Sequence, residues 1–192
     1  RSAAPTSATR ATTVRVAGSI AETLEGAHRG RGHFDGVATV VTKLLLAVLP
    51  DTAYFGAKDA QQVAVVRRMV ADLGIPVRIA VCPTSRDPDG LARSSRNTRL
   101  SDAERAQALA IPHALRAVTD AAADGAGDVS RLRDLAVGIL AEAGIEPEYV
   151  ELVDPGTFAP ASDLSGEVLV ALAARVGATR LIDNVVLKEG VS

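Results

Sequence analysis

The spacing of apolar positions changes several times along the chain, and each change predicts an element. "ATTVRVAG", residues 11–18, alternates β-branched and polar residues and predicts a strand. "SIAETLEGAH" sets Ile20, Ala21 and Leu24 behind Ser19, predicting a short helix capped by that serine. After the connector "HRGRG", the stretch "HFDGVATVVTKLLLAVLP" carries Val37, Val40, Val41, Leu44, Leu45 and Val48. That is the i, i+3, i+4 stripe of a helix packed on a core, and Pro50 stops it.

"TAYFGAK" predicts a short strand ending in glycine, and "DAQQVAVVRRMVADLG" a helix with Asp59 capping its start and Gly74 past its end. "IPVRIAVCPT" is apolar on both faces, as strands buried in a parallel sheet are, so Cys82 within it is expected to be buried. The alternation predicts a β-α-β unit whose ligands sit at the carboxyl ends of the strands. Beyond Leu100 the pattern differs. Two Ala-rich helices, "SDAERAQALAIPHALRAVTDAAADG" and "DVSRLRDLAVGILAEAG", precede an alternating strand, "PEYVELVDP". "GEVLVALAARVGATRLIDNVVL" adds two strands joined around Gly177, so this part reads as a small α+β domain.

Composition narrows the function classes. The chain has 192 residues, 47% of them hydrophobic, with a net charge of −2, which argues against a general nucleic-acid binder. No apolar run approaches bilayer-spanning length, so no membrane partner is expected. The single cysteine excludes an internal disulfide and fits a reducing, cytoplasmic setting. The opening "RSAAPTSATRATTVR" has transit-peptide composition but no apolar stripe. The sole methionine is Met69, which points to a fragment or a processed piece.

Two polar loops fall at the predicted strand ends. "GLARSSRN" sets Ser94, Ser95 and Arg96 in a stretch without apolar pattern; it is either a solvated turn or a site for anionic oxygens. "FGAKDAQQ" brings Gly56, which permits close backbone approach, and Lys58 and Asp59 at the positive end of a helix. Converging, the two loops would make a clamp for a triphosphate.

"FGAKDAQQ" followed by "DGLARSSRNTRL", with "HFDGVATVVTKLL" upstream and "TRLIDNVVL" near the end, resembles the pantothenate synthetases (pantoate–β-alanine ligases) from Thr12 to Leu187. The Ser-Ser-Arg-Asn loop is also similar to the "KMSKS"-type loop of the wider nucleotidyltransferase superfamily. The resemblance implies pantoyl adenylate formation from pantoate and ATP with Mg²⁺, then displacement of AMP by β-alanine. It implies that Gly56, Ala57, Lys58 and Asp59 line ATP and that Gln62 hydrogen-bonds pantoate. Ser94, Ser95 and Arg96 would close over the phosphates, with Ser85 and Arg93 near the adenine and Lys58, Ser94, Ser95 and Arg96 as the catalytic set. It also implies a homodimer.

Departures accompany it. Ala57 stands where the family has an acidic residue, Arg93 where it has methionine, and the "HRGRGHF" connector is one residue longer. The family's His-x-Gly-His motif and acidic metal-binding patch have no counterpart, since His28, His33 and His113 lie in other contexts. The resemblance is therefore to a carboxyl-terminal portion. The fold expected is α/β, the second part of a Rossmann-like nucleotidyltransferase sheet followed by a small α+β domain. Residues 1–11 form a loose segment, 12–83 a partial nucleotide-binding domain and 84–192 a lid. Such a piece would hold part of the site, with Mg²⁺ ligands elsewhere, and be inactive alone. The competing readings are another nucleotidyltransferase-superfamily enzyme and a truncated domain that dimerises without catalysis.

Overall fold

The computed structural model describes residues 12–30 and 32–188, so the loose segment expected over 1–11 lies outside the described residues. Two short helices, α1 (Ser19–Glu22) and α2 (Leu24–Arg29), precede the long α3 (Gly32–Val48). Then β1 (Thr52–Gly56), α4 (Ala60–Asp72) and β2 (Arg78–Cys82) make the β-α-β unit. Its strands pair in parallel, Thr52 opposite Arg78 and Gly56 opposite Cys82. Helices α5 (Asp102–Ala108), α6 (Ala110–Ala123) and α7 (Val129–Glu142) lead to β3 (Pro147–Val153), β4 (Val168–Val176) and β5 (Thr179–Leu187). These strands form an antiparallel sheet with β4 in the middle. No helix among the described residues is long and apolar enough to cross a membrane.

Alternation along β4 explains how the parts join. Val168, Val170, Leu172 and Ala174 face α6 and α7, packing with Leu115, Val118, Leu132 and Leu140. The residues between them, Leu169 and Ala171, face the other way and pack with Phe34, Ala38, Val65 and Val66 of α3 and α4. One sheet thus contributes to both cores.

Several expectations are corrected. Residues 12–17 form no strand, because helix side chains take their backbone donors: Val14 N–H donates to Thr39 Oγ1 at 2.9 Å and Val16 N–H to Asp35 Oδ1 at 2.8 Å. The helix expected over 19–28 breaks at extended Thr23, and the Ser19 hydroxyl donates to the Thr157 carbonyl instead of capping. Of the stripe assigned to α3, only Leu45 is buried; Phe34, Ala38 and Thr39 complete the inward arc. Cys82 is exposed, and β2 is at most half-buried, because it pairs with β1 alone. The first Ala-rich helix is two, α5 and α6, since Pro112 fits only within the first turn of a new helix.

Candidate active site

At the end of β1 the chain tightens into a 3-10 turn, Ala57–Asp59, before α4 starts. The turn's carbonyls are held from β5: Asn184 Nδ2 donates to Ala57 O at 3.1 Å and to Lys58 O at 2.8 Å. Asp59 occupies the cap position of α4, but its side chain accepts no capping hydrogen bond, which corrects the expected cap. Lys58 is half-buried, and that burial lowers its pKa. The charges of Asp59 and Asp183 pull it up again, and Arg96 adds to the lowering.

Gln62 and Lys58 line one cavity together with Asp59, Arg29, His33 and Tyr149. The preceding glutamine does another job. Gln61 is buried; its Nε2 donates to the carbonyls of Ile20 and Thr23, and its Oε1 accepts from Glu25 N–H. It stitches α4 to the break between α1 and α2.

The second loop is folded rather than open. Arg86 and Ala92 form an antiparallel bridge, and Arg93 N–H donates to Ser85 O at 2.9 Å. The reversal between them needs Gly90, whose φ is 92°. Arg105 pins the loop to α5 through Asp87 and Asp89, and Arg93 Nε also meets Asp87 at 2.9 Å. Ser94 Oγ then accepts from Arg96 N–H and starts the 3-10 turn Ser95–Arg99, in which Asn97 is buried.

Lys58, Ser94, Arg96 and Asn97 line one cavity with Arg180 and Asp183, so the two loops do meet. Ser95 is placed outward, lining an outer cleft with Arg93 and Asp87. Gly56 and Ala57 offer backbone beside Lys58, and Ser85 serves as the acceptor that closes the Arg93 hairpin. His33 stands against Phe34 with ring centroids 4.9 Å apart; burial lowers its pKa and Arg29 adds to that. His113 lies exposed on α6. Among the described residues, no group of three or more His, Cys, Asp or Glu side chains is arranged to hold a metal ion.

One cluster has no local signal in the sequence. Glu25 is buried beside the Lys58 cavity and accepts from Arg180 Nη2 at 2.6 Å, Arg29 Nε at 2.8 Å and the Tyr149 hydroxyl at 3.0 Å. Burial alone would raise its pKa, but the hydrogen bonds from Arg180 and Arg29 win and hold it at about 2. Glu25 and Arg180 are 155 residues apart, and nothing in either stretch announces the pair.

The model of the pantoate-beta-alanine ligase family matches residues 3–186. The chain belongs to that family. It is 52% identical over 181 residues to the pantothenate synthetase of Acidothermus cellulolyticus, covering 92% of this chain and 59% of that protein. The bifunctional pantoate ligase/cytidylate kinase of Gloeobacter violaceus is 56% identical over 159 residues, 82% of this chain and 31% of that one. The crystal structure of pantothenate synthetase from Thermus thermophilus superimposes with a TM-score of 0.86 at 43% identity, covering 91% of this chain and 63% of that one. The Francisella tularensis pantoate-beta-alanine ligase complexed with beta-gamma ATP and beta-alanine gives 0.70 at 33% identity, covering 94% of this chain and 60% of that one. The chain spans about three fifths of the length of the pantothenate synthetases it matches.

The family match over residues 3–186 corrects the restriction of the resemblance to a carboxyl-terminal portion. The family's fold, with its Rossmann-like parallel unit and antiparallel carboxyl-terminal sheet together, runs through nearly the whole chain. The expectation of only a second sheet portion goes with it, and nothing in the family match supports catalytic incompleteness or Mg²⁺ ligands lying in an absent part. Of the competing readings, another nucleotidyltransferase-superfamily enzyme gives way to the ligase family, and nothing in the match supports a non-catalytic dimerising domain.

Proposed function

We propose that this chain joins pantoate to β-alanine through an acyl adenylate formed from ATP. The observation that carries the reading is the position of Lys58, which lines the Gln62 cavity on one side and the Ser94–Arg96 cavity on the other. A pantoate held by Gln62 and a triphosphate held by the serine–arginine loop would meet at this ammonium.

In the first step a carboxylate oxygen of pantoate bonds to the α-phosphorus, and the bond from that phosphorus to the bridging oxygen breaks. Negative charge grows on the departing pyrophosphate. Lys58 and Arg96 offset that charge, the hydroxyls of Ser94 and Ser95 hydrogen-bond the phosphate oxygens, and the field is preorganised because both loops are already folded. Gly56, Ala57 and Asp59, with Ser85 and Arg93, line the rest of the nucleotide. In the second step the neutral amine of β-alanine bonds to the acyl carbon, AMP leaves, and the amine gives up its proton. Mg²⁺ would travel with the ATP phosphates and neutralise part of their charge. Residues 12–83 carry the nucleotide side of this site and 84–192 the lid.

The same reading places the enzyme in the cytoplasm as a homodimer, without nucleic-acid or membrane partners. The exposed thiol of Cys82 supports a reducing compartment, and the apolar side chains that α3 leaves in solvent support a partner surface. The test is exchange of labelled pyrophosphate into ATP without β-alanine. Exchange should depend on pantoate and fall by a factor on the order of 10² to 10³ in Lys58→Ala and Arg96→Ala. Exchange that runs equally well without pantoate sinks the reading.

A further inference from the structure

The motif "TRLIDNVVL" has no role in the chemistry described so far, yet two of its residues touch both loops. Asp183 and Asn184 are neighbours on β5, and neighbours on a strand face opposite sides of the sheet. Their cross-strand partners identify the sides: Asp183 is opposite Leu172 and Asn184 opposite Ala171. Leu172 belongs to the core under α6 and α7, whereas Ala171 belongs to the core shared with α3 and α4.

From those two faces the pair reaches the two halves of the clamp. Asn184 uses both amide hydrogens on the Ala57 and Lys58 carbonyls, across 127 and 126 residues of sequence. Asp183 accepts from Arg86 Nη1 at 2.6 Å and from Nη2 at 3.1 Å, and Arg86 Nη1 also donates to Gly90 O at 3.1 Å. Arg86 belongs to the hairpin that leads into Ser94 and Arg96. Asp183 Oδ1 accepts from the backbone N–H of Asn184 at 2.8 Å as well, so the carboxylate is fixed to the strand that carries the amide.

Both are buried, Asp183 at 2% exposure and Asn184 at 9%. Their strand neighbours Leu181, Val185 and Leu187 are apolar, as sheet packing alone would favour here too. A buried carboxylate and a buried amide are costly unless their hydrogen bonds are made, and these bonds are made to the two loops.

We propose that Asp183 and Asn184 are the positioning residues of the site, setting the separation between Lys58 and the Ser94–Arg96 loop from one rigid strand. The proposal rests on the reading of those loops as the ATP clamp. Its physical basis is that displacing a charged group by about 1 Å costs a factor on the order of 10² in rate. Each acts through the group it holds, Asn184 through the Ala57 and Lys58 carbonyls and Asp183 through Arg86.

Asn184→Asp keeps the size but offers oxygens to two carbonyls, and Asp183→Asn keeps the size but releases the charge that orients Arg86. The full chain is compared with both variants in three measurements. Without any ligand, amide hydrogen exchange should quicken over 57–59 in Asn184→Asp and over 86–97 in Asp183→Asn. With substrates, kcat should fall on the order of 10²-fold in each variant, and in the double variant no further than in the worse single one, since both set one distance. Third, an amine-acylating reagent reports on Lys58, one of three lysines and readable by peptide mass. ATP should protect it in the wild type and at least about tenfold less well in the variants, while Lys43 and Lys188 react unchanged.

Unchanged exchange in both loops overturns the proposal whatever ATP does. Losses in kcat that add in the double variant and track its melting temperature also overturn it, because they mark a structural role only. If one variant fails to melt cooperatively, the other is judged by the same exchange and kcat criteria. A wild type whose Lys58 ATP does not protect, with loops loosened as expected in the variants, breaks the reading of the clamp and leaves the positioning role standing.

Discussion

Where α6 and α7 meet the sheet the apolar side chains are sealed: Val118, Ala136, Leu140, Val170, Leu172 and Ala174 have no exposed surface. Across the sheet, α3 leaves Leu44 57% exposed and Val48 69% exposed, with Val40, Leu46 and Leu49 beside them. The two regions use similar residues to different ends. The sealed region is a platform whose strand β5 reaches out to hold loops. The open region supplies the Lys58 turn and keeps an apolar face available. Rigidity at the Lys58 turn is therefore borrowed from the carboxyl-terminal sheet, on which α4 rests through Ala171.

The largest effect should separate these regions directly. Leu172→Ala removes a fully buried side chain from a core that cannot collapse around the gap, and should cost about 2–5 kcal/mol in urea unfolding. Leu44→Ala, a similar truncation on the open face, should stay within about 0.5 kcal/mol. Equal costs would mean that the two regions share one degree of packing, and the contrast would collapse.

The link between the regions is electrostatic as well as apolar. Glu25 of α2 meets Arg180 of β5, and its pKa falls from 4.5 to about 2 in the folded chain. A depressed carboxylate stabilises above its unfolded pKa and loses that contribution as pH falls through the folded one. Above pH 4.5 the contribution is present, at about 3 kcal/mol, and about 2 kcal/mol of it should be gone by pH 3. Glu25→Gln should be less stable at neutral pH and should lack this acid slope, read as the difference between wild-type and variant urea midpoints at pH 6 and pH 3. Parallel slopes would remove Glu25 from the link.

What the sequence disclosed follows the same division. Elements defined by period alone were legible: α4, β1 and the three carboxyl-terminal strands fall where their patterns put them. The two polar loops were legible as loops from their lack of apolar pattern, and Lys58, Ser94 and Arg96 do line one cavity. The failures came from partners that no period encodes. "TTVRV" alternates like a strand, but Thr39 and Asp35 of a helix take its donors. The α3 segment is apolar on nearly every side, so period could not say which side would be covered. Cys82 lies in an apolar strand that pairs on one edge only. The contacts that order the site, Asn184 to Lys58 and Glu25 to Arg180, span 126 and 155 residues and leave no local trace.

The smallest expected effect concerns how helices begin in the two regions. In the sealed region α5 starts with a reciprocal cap, Ser101 Oγ accepting from Glu104 N–H while the Glu104 carboxylate accepts from Ser101 N–H. Asp128 caps α7 through two backbone donors. At the site, Asp59 sits at the start of α4 and caps nothing, so the first N–H groups of that helix keep their donors unspent on side chains. Ser101→Ala should therefore cost about 1 kcal/mol in urea unfolding, whereas Asp59→Ala should change stability by only a few tenths. The two variants should also differ in function: Asp59→Ala removes a charge that holds up the Lys58 pKa, so its loss of exchange activity should steepen as pH rises, and Ser101→Ala should leave the pH profile alone. An Asp59→Ala variant as destabilised as Ser101→Ala, with an unshifted profile, would show that Asp59 caps its helix after all and that the two regions begin their helices alike.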